Sequence, residues 1–418
     1  MYISKPELFT LQNGLRVIYM HAPAQVAHFG VNVLAGSRFE KENEEGLAHF
    51  LEHCIFKGTK KRKTYHVLSR LDSVGGELNA YTSKEEMCVY ASFTKNHTKR
   101  AIDLLADITL NSNFPVKEIE KEKEIILDEI NSYLDNPSEK IFDDFESYLF
   151  EGHSLGTNIL GTKESVNSFT KKNLEDYMSR HFHVDNMVLS FVGDFPLPKL
   201  KKLLELSFCD CPVVKKDTFD NPFKGQSFFN KSFKEANYQV HVLVGGYAPS
   251  YQDEDRKGMM LLTNILGGPA LNSRLNLSIR EKYGYSYNIE SSYTPYSEVG
   301  FWTIYIGTDT KYLKKTMKLL YKELEILQKQ PLGVQQLKQA KEQYKGHLAL
   351  GMDSNSGMML GLGKSVLFFN QIDTMEEIYA SIEKLNSVDL QRIAIQYFDL
   401  EKISKLIFEI DEEEEQVD

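Results

Sequence analysis

The chain has 418 residues, with 42% hydrophobic and 26% charged side chains and a net charge of −10. That length exceeds one ordinary core and predicts two domains, while the acidic balance argues against nucleic acid as a partner and allows only a weak preference for basic peptides. No apolar run approaches a membrane span, the start Met1-Tyr2-Ile3-Ser4-Lys5-Pro6 lacks a signal-peptide core, and Cys54, Cys88, Cys209 and Cys211 are too few and too irregular for a disulfide framework, so the expectation is a cytoplasmic protein with no membrane partner.

In chain order, Val26 to Gly36 reads as a strand ending in glycine. Gly46 to Phe56 follows, with apolar residues at 47, 50, 51, 54 and 55, which is helical spacing. Its polar residues are His49, Glu52 and His53, in the order H-x-x-E-H. On a helix, positions i and i+4 lie one above the other, so both imidazoles can reach one metal ion. Neutral imidazoles suit zinc, and a carboxylate beside the open coordination position can take a proton from water. This order is the inverted form of the zinc-binding H-E-x-x-H motif. A surface helix carrying two solvated histidines is the plainer alternative. Gly58-Thr59 and the basic run from Lys57 to Lys63 end the helix.

Gly75 to Thr82 reads as a hairpin strand entered by a Gly-Gly turn. Met87 to Ala106 reads as an alternating strand, a Thr-containing turn and a basic amphipathic helix. Val116 to Leu134 is a long charged helix with a short apolar stripe. A catalytic zinc needs a third protein ligand, and this helix is the best source. Glu122 and Glu129 share a face, two turns apart, but spacing does not choose Glu129 over Glu124 or Asp128.

Met187 to Phe195 is a strand signal and Pro198 to Ser207 an amphipathic helix. Cys209-Asp210-Cys211 has no second pair and reads as incidental thiols. A linker is expected over Val213 to Gly225, giving domains 1–213 and 229–418. Asn237 to Gly246 echoes the strand at 26–36, and Gly300 to Leu320 echoes Met87 to Ala106, a hint of internal repetition. The helix at Lys257 to Leu266 carries no His or Glu, so one metal site per chain is expected. The run Asp411 to Gln416 reads as a solvated end.

His49-Phe50-Leu51-Glu52-His53, then Phe56-Lys57-Gly58-Thr59, then Gly75-Gly76-Glu77-Leu78-Asn79-Ala80-Tyr81-Thr82 together resemble the pitrilysin-type (inverzincin) zinc peptidases, nearest to their short bacterial, processing-peptidase-like branch. The resemblance covers nearly the whole chain. It implies an α+β fold of two similar domains, each an antiparallel sheet packed against helices. It implies Glu129 as third zinc ligand beside His49 and His53, Glu122 as a supporting glutamate, and Glu52 as the general base. It places a free strand edge at Asn79 and Ala80, where an extended peptide would add by main-chain hydrogen bonds. It assigns Arg280 and Tyr287 to substrate binding and oxyanion stabilisation, with Tyr283 and Tyr285 as near competitors. The activity it implies is zinc-dependent endopeptidase hydrolysis of peptides or unfolded segments inside a dimeric chamber. A homodimer would be self-sufficient, and a heterodimer with a related chain is the other arrangement. A non-catalytic scaffold subunit is the competing reading, and a regulatory zinc site is a third.

Overall fold

The computed structural model describes residues 5–214, 222–225 and 228–411. Most of the expected linker, Met1 to Ser4 and the acidic run beyond Asp411 lie outside them. The residues group into two compact units. One comprises Met1–Asn131, Thr157–Asp220 and Leu350–Thr374; the other comprises Ser132–Gly156, Asn221–Ala349 and Met375–Asp418.

In the first unit, β1 (Glu7–Thr10), β2 (Arg16–His21), β3 (Val26–Val33), β4 (Glu77–Thr82), β5 (Met87–Thr94) and β6 (Met187–Gly193) form one sheet in the order β1-β2-β6-β3-β5-β4. Only β2 and β6 run parallel; the other neighbours are antiparallel. Alternation along β3 sends Ala27, Phe29, Val31 and Val33 to the main core. There they meet α1 (Leu47–Cys54), α2 (Thr64–Asp72) and α3 (Thr98–Asn111). The opposite face, with Ile18, Met20, Val188 and Val192, is covered by the helix Asn355–Phe369 through Met358, Met359, Leu362 and Val366. The helix backbone approaches the sheet's side chains closely there: a Cβ on Gly363 would lie 2.2 Å from the Asn32 side-chain amide nitrogen. Glycine is the residue that permits such contact.

The second unit repeats this plan. Its strands β7 (Asn230–Glu235), β8 (Val240–Ala248), β9 (Ser286–Pro295), β10 (Gly300–Thr308) and β11 (Ser404–Ile410) are ordered β7-β11-β8-β10-β9. Again a single pair, β7 and β11, is parallel. One face packs on the helices Arg256–Gly267, Leu313–Lys329 and Ser387–Tyr397. The other is covered by α5 (Pro137–Leu149), which follows α4 (Val116–Leu134) and inserts Ile141, Phe145 and Leu149 against Leu243, Tyr305 and Phe408. Each sheet is therefore closed by a helix from the other half of the chain: α5 from the first half, Asn355–Phe369 from the second.

The expected fold class is observed, with one parallel pair added to each largely antiparallel sheet. Helix α4 spans the residues the pattern predicts. Helix α1 and the helix Leu197–Ser207 fall within two residues of the predicted bounds, as expected for frayed ends. Strand β8 starts three residues later than its sequence signal, at Val240.

Candidate metal centre

Helix α1 is short and has no long amphipathic seam to hold it, so its orientation depends on buried neighbours. Leu47, Phe50 and Leu51 are fully buried in the main core. At its start Gly46 adopts φ of 90°, the left-handed region that favours glycine. The backbone N–H groups of Gly46 and Ala48 donate to the buried Glu40 carboxylate at 3.0 and 2.8 Å, satisfying donors that a helix N-terminus leaves unpaired. Burial holds the Glu40 carboxyl well above the usual range, opposed by these two bonds.

This anchoring sets His49 and His53 side by side, ring centroids 4.7 Å apart. Helix α4 brings Glu129 to both. Its carboxylate oxygens lie 3.7 Å from His49 Nε2 and 3.6 Å from His53 Nε2. One ligand atom from each of the three residues lies within 4.8 Å of the others. Two imidazoles and one carboxylate converging in this way fit a catalytic zinc, which takes three protein ligands and keeps a fourth position open. His49 is pushed down to about 4 by burial and by His53, so at neutral pH it presents the unprotonated ring a metal requires.

Behind His53 stands Glu122, 3% exposed, with its Oε2 3.3 Å from His53 Nδ1. A carboxylate on Nδ1–H fixes the tautomer and leaves the Nε2 lone pair for a metal. Lys57 Nζ holds the other Glu122 oxygen at 2.8 Å. Burial tends to raise the Glu122 carboxyl, but the bonds from His53 and Lys57 outweigh it and the net direction is downward. Glu124 and Asp128, left open by spacing, are exposed on the other side of α4.

Glu52 points to β4, where Thr82 Oγ1 donates to its Oε2 at 2.6 Å. Burial pushes the Glu52 carboxyl up, opposed by Thr82 and His53 and assisted by Glu129. Among the described residues, strand β4 pairs with β5 alone and ends the sheet, so its outer edge is unpaired there. Asn79 and Ala80 lie on it, and the Asn79 side chain accepts from the Ala80 N–H at 3.0 Å. Lys57 and Thr82 were not singled out by sequence reasoning. Lys57 sits in a basic run and Thr82 in a hairpin strand, and only the folded contacts distinguish them.

Arg280 and Tyr287 belong to the second unit. Arg280 lies near the end of the irregular helical turn Asn276–Glu281, with Nε 3.6 Å from Glu281. Tyr287 is 84% exposed near the start of β9. The competitors Tyr283 and Tyr285 stack on each other at 5.2 Å instead.

Residues 16–163 match the insulinase family, peptidase family M16, and residues 168–344 match the domain described as the peptidase M16 inactive domain. An uncharacterized zinc protease of Bacillus subtilis (strain 168) is 33% identical over 388 residues, 92% of this chain and 93% of its own length. An uncharacterized zinc protease of Rickettsia bellii (strain RML369-C) is 31% identical over 402 residues, 95% of this chain and 96% of its own. The crystal structure of a protease from Helicobacter pylori superposes with a TM-score of 0.89 at 20% identity, covering 97% of this chain and 99% of that one. A structure of a peptidase M16 inactive domain from Pseudomonas fluorescens gives 0.90 at 17% identity, covering 98% of each chain; both likenesses concern the fold. By family match and by relatives that align along nearly its full length, this chain belongs to peptidase family M16.

Proposed function

We propose that this chain is a zinc-dependent endopeptidase acting on peptides or unfolded polypeptide segments. The observation that carries the reading is the convergence of His49, His53 and Glu129 within 4.8 Å, with Glu52 on the same short helix. The zinc-protease names of the relatives support it. His49, His53 and Glu129 would hold the zinc, and Glu122 and Lys57 would orient His53. When bound, zinc supplies Lewis acidity and lowers the pKa of water.

Glu52 is the general base. Its Oε2 is tied to Thr82, leaving Oε1 to take a proton from water and pass it to the leaving amine. Its burial-raised pKa brings it closer to the operating pH, which favours proton transfer in both directions. The open edge of β4 would hold the peptide in extended form, once the Asn79 side chain releases the Ala80 N–H. Arg280 and Tyr287 are assigned to the substrate backbone and the oxyanion; the exposure of Tyr287 leaves its ring available to a ligand.

A homodimer is part of this reading, because one chain carries both the metal ligands and the Arg–Tyr pair; a heterodimer with a related chain is the other assembly. No helix among the described residues is long and apolar enough to cross a membrane. The four cysteines are free thiols, which supports a cytoplasmic setting. The experiment is cleavage of a quenched-fluorescent peptide library by wild-type protein, by chelated protein and by Glu52→Gln. Activity lost in both controls, with zinc still bound to Glu52→Gln, is the expected result. Turnover by Glu52→Gln would refute the base assignment, and bound zinc with no wild-type turnover would favour the scaffold reading.

A further inference from the structure

The second unit carries a surface whose charge opposes that of the whole chain. Along the helix Leu313–Lys329, Lys314, Lys318 and Lys322 form an i, i+4, i+8 row. With Lys405 on β11 they line a groove of about 510 Å³, floored by Leu313, Met317, Tyr321 and Ile407. Among the described residues none of these four lysines is in an ion pair, and Glu325 is the one acid lining the groove. At the first turn of that helix Tyr283, Tyr285 and Tyr312 stack in series, at 5.2 and 4.6 Å. Lys282, Lys315 and Lys311 lie over the three rings in turn, 4.9 to 5.7 Å from the centroids.

Like charges at i, i+4 repel, and Lys314, Lys318 and Lys322 are all exposed; of the tyrosines, Tyr283 is exposed while Tyr285 packs partly against the core. An apolar floor bordered by unpaired ammonium groups matches a ligand that alternates apolar and acidic groups. We propose that this lysine-bordered groove and the adjoining tyrosine stack bind acidic, partly apolar segments of polypeptide substrates, giving the enzyme a preference opposite to the one its net charge suggests. The purpose assigned to the surface rests on the peptidase reading, but the binding itself does not. The tyrosine faces are already occupied by one another and by lysines, which argues against base stacking and for polypeptide over nucleic acid.

The test uses full-length, chelator-treated protein, so that binding is measured without turnover. A fluorescein-labelled peptide alternating Glu and Leu is compared by anisotropy with its Gln/Leu isostere. Several exposed ion pairs, each weak alone, together predict about tenfold tighter binding of the acidic peptide, declining with salt. The combined variant Lys314→Gln, Lys318→Gln, Lys322→Gln should erase that difference with unchanged zinc content and a melting temperature equal to or slightly above wild type, since it relieves the repulsion along the row. Equal affinity for the two peptides in wild-type protein would overturn the proposal, as would a preference that survives the triple variant. Stronger binding of a single-stranded oligothymidylate than of the acidic peptide would overturn it in favour of nucleic acid. Acidic-peptide binding that emerges only after removal of residues 412–418 would overturn it in favour of the chain's own acidic run.

Discussion

Replacing Lys57 by Met tests whether the site is organised from behind. Lys57 Nζ lies 2.8 Å from Glu122 Oε1, and Glu122 Oε2 lies 3.3 Å from His53 Nδ1. Glu122 is 3% exposed, so water does not replace a lost donor easily. Methionine keeps most of the side-chain volume and removes the charge. The buried carboxylate is then left with His53 as its principal donor and is driven toward its neutral form. A protonated Glu122 no longer orients the His53 tautomer as firmly. Loss of such an outer partner weakens metal affinity about 10–100-fold, equivalent to roughly 1.4–2.7 kcal/mol. Zinc affinity is read by competition with a chromophoric chelator, which requires no turnover. Lys57→Arg restores a cation at the same position and should recover most of the affinity. Unchanged zinc affinity in Lys57→Met would refute the relay from Lys57 through Glu122 to His53. So would a loss that Lys57→Arg fails to rescue at all while both variants keep the wild-type melting temperature in chelator.

Gly363→Ala should destabilise the first unit by about 1–3 kcal/mol, because the new Cβ would press on Asn32, which is 1% exposed and donates to Val188 O and Ser190 Oγ; a melting temperature equal to wild type would show that the helix Asn355–Phe369 can shift freely. His181, half-buried beside Tyr177, is pushed down to about 3 by desolvation, Arg180, His183 and Lys41. Its folded pKa lies below its unfolded value of about 6.5, so between pH 6.5 and 3 the unfolded chain binds the extra proton and stability falls as pH falls, with a limiting slope of about 1.4 kcal/mol per pH unit. Denaturant titrations in chelator should show a shallower acid-side loss in His181→Phe; identical slopes would remove His181 from the acid response.

Much of the candidate site is legible in the sequence because its densest part is local. Two histidines and a glutamate inside five residues need only helical geometry to converge. The candidate third ligand is not legible from spacing, because Glu124, Asp128 and Glu129 differ only in which side of α4 meets α1, and that is set by packing. Lys57 and Thr82 act through partners far along the chain, and nothing in a basic run or a hairpin strand marks them. The same limit applies to the fold. The spacing of Ile141, Phe145 and Leu149 marks an apolar helix face but cannot say which sheet it covers. The parallel pairs β2–β6 and β7–β11 join strands from distant parts of the chain, where alternation gives no partner.

The repeat explains why one centre per chain is expected, and that expectation can be tested directly. Asn264 falls as far beyond β8 as His49 falls beyond β3, and His347 stands as far into its helix, Val334–Gly351, as Glu129 stands into α4. The second unit thus has Asn264 and His347 where the first has two of the proposed metal ligands, and they are joined by a bond of 3.0 Å between Asn264 Oδ1 and His347 Nδ1. The position matching His53 is Gly268, which has no side chain to offer. A neutral amide, one imidazole and a glycine do not make a zinc site, so the helix pair is closed by a hydrogen bond instead. Elemental analysis should find one zinc per chain, and His347→Ala should leave that value unchanged. Losing its partner, the part-buried Asn264 should lower the melting temperature, with a destabilisation of about 1–3 kcal/mol. Two zinc ions per chain, or loss of zinc in His347→Ala, would refute the division of labour between the two repeats.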